Sequence, residues 1–141
     1  MSRAIRIPEA VSLALHSMAI LAARPDEILP TREIAATLGG SSAHLAKVLK
    51  NLENEGFVHS QRGPSGGFRL ARSAAAISLL EIYEAIEGPL SKEGCLLATP
   101  LCGGERCIFG NLLESLDNQF REHLGKTRLN QLAETMGVRR A

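Results

Sequence analysis

Long apolar runs are absent from this sequence of 141 residues, and no stretch approaches the roughly 18 apolar residues that a membrane-spanning helix needs. Nothing at the N-terminus has the pattern of a secretory signal, so the persistent disulfides of an oxidising compartment are not expected. The sequence also lacks the patterns of a Ser/His/Asp or Cys/His catalytic site, a phosphate-binding glycine loop and paired acid-base carboxylates. These absences predict a soluble, cytoplasmic protein that is not an enzyme.

An excess of charge is lacking as well, because 16 Lys and Arg oppose 15 Asp and Glu for a net charge of +1. This balance excludes the strongly basic composition of a non-specific nucleic-acid binder. Residues 1–72 carry nine basic and six acidic side chains, whereas residues 73–141 carry seven and nine. The basic excess of the first half is compatible with DNA binding but does not establish it.

The first half of the chain shows the periodicity of three helices, and 45% hydrophobic residues are enough for a buried core. The spacing predicts a first helix that ends at about Ala23 and a short second helix over about 31–38. A third helix should be capped by Ser41 or Ser42 and should end near Gly56.

Two strands, over about 57–61 and 67–71, should follow as a hairpin around a loop rich in glycine. One more short helix should end at Gly88, and a long helix should begin at Ile108. The sequence therefore predicts a mainly α protein with a small β-hairpin wing. Its three parts are a winged helix-turn-helix domain over 1–88, a cysteine loop over 89–107, and a dimerisation helix with a C-terminal tail over 108–141.

Cysteine is scarce but concentrated: the chain has three, Cys95, Cys102 and Cys107, spaced C-x(6)-C-x(4)-C. A single disulfide would leave one thiol unpaired. Three soft thiolates on one loop suit an iron-sulfur cluster or zinc, so the spacing predicts a metal or cluster site.

The candidate DNA contacts lie on the third helix and on the hairpin. A recognition helix presents its exposed N-terminal residues to base edges in the major groove, while neighbouring cations neutralise phosphates. Arginines of a wing can enter the minor groove. The residues that we predict to contact double-stranded operator DNA are Ser42, Ala43, His44, Lys47 and Lys50 on the helix, and Arg62 and Arg69 on the wing.

Several segments together resemble a known family. They are residues 42–49, the wing motif Arg-Gly-Pro-Ser-Gly-Gly over 62–67, the segment Ala-Ile-Glu-Gly over 85–88, the three cysteines, and residues 127–132. Over nearly its whole length the sequence resembles the IscR, NsrR and RirA regulators, bacterial transcription factors of the Rrf-two (Rrf2) superfamily. The resemblance implies a homodimer in which long C-terminal helices cross at the interface.

The resemblance also implies a redox-active iron-sulfur cluster, 2Fe-2S or 4Fe-4S, on Cys95, Cys102 and Cys107, which would sense iron, cluster supply, nitric oxide or redox state. Some relatives recruit a carboxylate from the first helix of the partner subunit, and the aligned position here is Ser12. His16 lies one helical turn further along and is the candidate fourth ligand, with Glu9 as a weaker candidate.

Three other interpretations stay open. Three thiolates and an imidazole could bind zinc as a structural site. A thiol switch without metal would need Cys102 or Cys107 to have a lowered pKa. An iron-sulfur carrier or electron-transfer protein is a further alternative, but it would not need Lys47, Lys50, Arg62 and Arg69 on successive DNA-facing elements.

Overall fold

The computed structural model of the protein describes residues 5–90, 95–102 and 107–136. Its described residues form six α-helices, one 3-10 turn and one two-stranded sheet. In chain order they are α1 (Glu9–Ala23), α2 (Thr31–Leu38), α3 (Ser42–Asn54), β1 (Val58–Gln61), β2 (Gly67–Leu70), the 3-10 turn Ala74–Ala76, α4 (Leu79–Glu87), α5 (Leu112–Lys126) and α6 (Leu129–Thr135). The predicted mainly α fold with a hairpin wing is confirmed.

Helix α1 is the centre of the core and packs against α2, α3, α4 and α6. The three helices of the N-terminal half bury apolar side chains at helical spacing, as the sequence predicts. The side chains with 0–1% exposure include Met18 and Leu21 of α1, Ile34 of α2, and Leu45, Leu49 and Leu52 of α3.

The turn between α2 and α3 follows from local chemistry. Gly39 ends α2 with a left-handed backbone, φ +69°, which glycine adopts without steric cost. Ser41, the first of the two predicted caps, accepts a hydrogen bond from the backbone N–H of His44 at 3.3 Å. This short turn fixes α3 relative to α2.

The wing is an antiparallel hairpin in which Val58 pairs with Leu70 and Gln61 with Gly67. Strand β2 is tied to the segment before α2, because Leu29 and Phe68 exchange backbone hydrogen bonds of 2.9 and 2.8 Å. The position of the wing relative to the helix-turn-helix is therefore fixed by main-chain bonds.

Helices α4 and α5 form an antiparallel pair. The rings of Tyr83 and Phe120 meet edge to face at 5.1 Å between centroids. At the base of the pair, the N–H of Leu79 donates to Thr127 O at 3.0 Å and the N–H of Leu129 donates to Ile77 O at 2.9 Å. The chain after α5 thus returns to the core, where Leu129 is fully buried.

The C-terminal half differs from the sequence prediction in two details. Helix α5 begins at Leu112 rather than Ile108, because Gly110 has a left-handed backbone, φ +53°, and its N–H donates to Cys107 O at 2.9 Å in a turn. Part of the predicted tail is helix α6, and residues beyond Met136 lie outside the described residues. Among the helices of residues 5–90, 95–102 and 107–136, none combines the length and apolarity needed to cross a membrane.

Candidate DNA interface and cysteine segment

The predicted recognition residues share the outer face of α3. Ser42, Ala43, Lys47 and Lys50 are exposed and His44 is half-buried. The other face of the helix is buried in the core through Leu45, Val48, Leu49 and Leu52. Helix α3 therefore has the anchored inner face and free outer face that insertion into a major groove requires.

The cations of the helix-turn-helix and wing fall into two groups. Lys47, Arg62 and Arg69 make no ion pair with any other residue in the described part of the chain. Lys50 is bound to Glu53, with 2.8 Å between Nζ and Oε1, and this hydrogen bond holds the pKa of the Glu53 carboxyl below its ordinary value. Among the described residues, no carboxylate competes with phosphate groups for these unpaired cations.

His44 has a neighbour outside α3. Its Nδ1 lies 3.8 Å from Oε2 of Glu9, the first residue of α1. Glu9, the weaker of the two candidate fourth ligands, thus lies beside the recognition helix in this subunit.

One cationic side chain near the wing was not found from the sequence. Arg32, on the first turn of α2, lines an open groove of about 370 Å³ together with Ser60 and Gln61 of the wing. Helical periodicity marks Arg32 only as exposed. The sequence contains one indication of this position: Pro30 precedes the helix, and a proline has no side-chain acceptor that could cap it.

The three cysteines lie in the connection between α4 and α5, and none forms a disulfide. Cys95 and Cys107 are half-buried and Cys102 is exposed. The thiol of Cys95 accepts a hydrogen bond from the N–H of Leu97 at 3.4 Å. Within the described ranges the structure gathers no three His, Cys, Asp or Glu side chains at metal-binding distance.

His16 is exposed on α1, and its Nδ1 lies 2.6 Å from the carbonyl oxygen of Ser12. Because a carbonyl can only accept, Nδ1 is the donor of this hydrogen bond, and in the neutral form of the ring Nε2 carries the lone pair. Metal-binding histidines commonly have this arrangement, in which a backbone carbonyl fixes the tautomer of the ligand ring.

Comparison with known proteins identifies the family. The Rrf2 family model, described as "Iron-dependent Transcriptional regulator", matches residues 7–135. An HTH-type transcriptional regulator of Aquifex aeolicus is 32% identical in an alignment of 127 positions that covers 88% of this chain and 88% of the relative. IscR of Xenorhabdus nematophila is 28% identical over 128 residues, which cover 91% of this chain and 74% of the relative.

Solved structures share the fold. CymR, the global cysteine regulator of B. subtilis, superimposes with a TM-score of 0.77 at 26% identity over 93% of this chain and 98% of its own. IscR of T. potens gives a TM-score of 0.74 at 21% identity over 98% and 93%. With a family match over most of its length and a winged helix-turn-helix fold, the chain belongs to the Rrf2 family of DNA-binding transcriptional regulators.

Proposed function

We propose that the protein is a homodimeric transcriptional regulator whose affinity for operator DNA is controlled by an iron-sulfur cluster on Cys95, Cys102 and Cys107. The observation that carries the proposal is the group of three unbridged cysteines in the segment that joins α4 to α5. The family description, which names iron, supports the same chemistry.

The donor set fits a cluster in chemical type. Reduced, accessible thiols are the usual ligands of iron-sulfur clusters, and an imidazole can replace a thiolate. Cys95, Cys102 and Cys107 would hold three positions, and His16 of the partner subunit would supply the fourth through Nε2. When bound, such a group supplies a centre that gains or loses electrons and that reacts with small oxidants.

The exposure of helix α5 supports the proposal of a dimer. None of its side chains is buried within one subunit, although apolar residues recur along it. A groove of about 580 Å³ runs beside Leu116 and Phe120, and Leu112 is 52% exposed. A helix with an apolar stripe that its own subunit covers only in part is suited to pairing with a second copy.

Two contacts, one made by α5 and one in the turn before it, would carry a change in the cysteine segment to the rest of the molecule. Arg121 donates to the carbonyl oxygen of Leu90 at 3.1 Å, at the start of the segment. At its end, Cys107 O accepts from Gly110 N–H, directly before α5. A displaced segment therefore pulls on α5, and in a dimer this would alter the separation of the two α3 helices, which operators fix at about 34 Å.

The test is the visible spectrum, with iron and acid-labile sulfide analysis, of protein purified without oxygen. We expect a coloured wild-type protein, a Cys102→Ala variant without chromophore, and a His16→Ala variant with an altered spectrum. DNA affinity measured before and after removal of the iron should differ, as linkage between the two sites requires. A colourless wild-type protein that resists reconstitution would contradict the cluster proposal.

A thiol switch without metal is the second candidate. The similarity to the cysteine regulator CymR favours it, as does the sulfur of Cys95, which is free of any disulfide and accepts a hydrogen bond from the N–H of Leu97. On this alternative, a colourless wild-type protein would change its DNA affinity with thiol oxidants, and Cys95→Ser would abolish that response.

A further inference from the structure

The groove between α2 and the wing has the features of a site for an anion. It opens to solvent, has a volume of about 370 Å³ and is lined by the first turn of α2 on one side and by Ser60 and Gln61 of β1 on the other. None of its lining residues is acidic. The hydroxyl of Ser60 is bonded to the carboxylate of Glu53, so the amide of Gln61 is the side-chain donor on this wall that an anion can use.

The only cationic side chain among the lining residues is Arg32, which is exposed and makes no ion pair with another described residue. Arg24, which is close in sequence, differs because its guanidinium is bound to Glu33, at 2.7 Å from Nη1 to Oε1, and to Glu27. Glu33, the acidic residue in the first turn of α2, is therefore paired with Arg24, whereas Arg32 beside it has no acidic partner among the described residues.

The backbone at the start of α2 adds donors. The carbonyl of Pro30 accepts from the N–H groups of Glu33 and Ile34, at 3.0 and 3.2 Å. The N–H groups of Thr31 and Arg32 have no acceptor in the described part of the chain, because proline offers no side-chain oxygen. They lie at the positive end of the helix dipole.

The width of the groove is fixed by main-chain contacts. Leu29 and Phe68 are hydrogen-bonded across its floor, and Gly67 lies so close to Leu29 that a Cβ there would be 2.2 Å from the Leu29 carbonyl oxygen. The two walls therefore keep their spacing without a ligand, which lowers the entropy cost of binding.

We propose that this groove binds a backbone phosphate of duplex DNA, with Arg32 as its cation, between the contacts of α3 and those of the wing arginine Arg62. The inference extends the DNA binding of the family to a position outside the recognition helix and the wing tip. A phosphate bound there would set the register of the protein on the duplex without reading sequence.

The test compares wild-type protein with Arg32→Gln on a labelled duplex that the wild-type protein selects from a random-sequence library, and on a scrambled duplex. We expect Arg32→Gln to bind both duplexes about tenfold more weakly and to reduce the salt slope by roughly 1 per subunit. Arg32→Lys should keep most of the salt slope. Lys126→Gln is the matched control, since Lys126 is paired with Glu122 on α5 and its loss should leave binding unchanged.

An Arg32→Gln variant with unchanged affinity and salt slope would overturn the inference while leaving the family function intact. A loss confined to the selected duplex would also overturn it, because Arg32 would then read a base. A wild-type protein without affinity for either duplex would instead contradict DNA binding itself. Arg32 is exposed, so unchanged thermal unfolding should accompany each result.

Discussion

At the scale of single residues, the positions that matter most are those where the backbone allows one residue type. Gly67 is the clearest case, because main chain from Leu29 occupies the space that a side chain would need. Sequence patterns predicted a glycine-rich turn at this point. They could not predict the contact with Leu29, which lies far away in sequence and is fixed only by the fold.

We expect Gly67→Ala to destabilise the protein by about 1–3 kcal/mol and to weaken DNA binding, because the wing must move away from Leu29. Denaturant unfolding and DNA titration measure the two effects. Gly40→Ala is the control, since its Cβ would meet only Leu13 Cδ2 at an ordinary 3.6 Å. Equal stability of the Gly67 and Gly40 variants would refute the proposed steric role.

The site residues show the same limit of sequence reasoning. The exposed face of α3 follows from helical periodicity alone, so its candidate contacts could be predicted residue by residue. Arg32 could not be predicted in this way, because its proposed role depends on the wing, which lies beside it only in the folded chain. The cysteines were evident from their spacing, but their relative placement depends on a connection whose described residues, 95–102 and 107–111, belong to no helix or strand, and periodicity says nothing about it.

At the scale of elements, the start of α4 joins several parts of the chain. Ser78 Oγ accepts from the N–H of Glu81 at 3.2 Å, and the Glu81 carboxylate accepts from the N–H of Ser78 at 2.8 Å. Arg72 contacts the same carboxylate at 3.2 Å and lies over the Phe57 ring at 5.1 Å. Partial burial raises the pKa of Glu81, but the bonds from Ser78 and Arg72 outweigh it and hold that pKa below its ordinary value.

We expect Glu81→Ala to lower the free energy of unfolding by about 1 kcal/mol at neutral pH, through loss of the helix cap. Glu81→Gln keeps the capping oxygen and should lose only the smaller contribution of the charge. Because the folded pKa is lowered, that contribution is complete above the ordinary carboxyl pKa of about 4.3 and disappears as the pH falls through the folded pKa.

Denaturant unfolding at a series of pH values measures this effect. The curves of wild type and Glu81→Gln should converge in acid, while Glu81→Ala should stay less stable. Glu114→Gln, which removes an exposed carboxylate that makes no ion pair in the described part of the chain, is the control for charge. A constant difference between wild type and Glu81→Gln at all pH values would contradict the role of the charge.

At the scale of the whole molecule, the prediction concerns assembly. Leu112→Glu places a charge at the exposed end of the apolar stripe of α5 and should shift the protein from dimer towards monomer, because the charge would be desolvated at the proposed interface. Light scattering over a range of concentrations measures the change. Asn118→Glu adds the same charge at an exposed polar position of the same helix and should leave the dimer intact.

Unchanged thermal unfolding of diluted protein would show that Leu112→Glu acts on assembly rather than on the subunit, since Leu112 is 52% exposed within it. A dimer that tolerates Leu112→Glu as well as Asn118→Glu would contradict the proposed interface. A monomeric wild-type protein would contradict the homodimer altogether.

Much of the whole fold was predictable, because the order of helices and hairpin follows from local periodicity and turn residues. The predicted start of α5 was wrong by four residues, since Ile108 and Phe109 fit the apolar periodicity but lie in a turn that contains Gly110. The docking of α6 on α1 could not be predicted, as it depends on a short pairing between residues 77–79 and 127–129 that are distant in the chain.

That pairing has a consequence for how the molecule can diversify. It joins the beginning of α4 to the end of α5, so both ends of the intervening hairpin are held at one point of the core. The cysteine segment is the tip of this hairpin, and the closure entropy of a loop rises only slowly with its length. Insertions, deletions or new ligand sets at the tip can therefore arise without any change at the base, so that the sensing chemistry proposed for this segment could be exchanged while the fold of the DNA-binding core is kept.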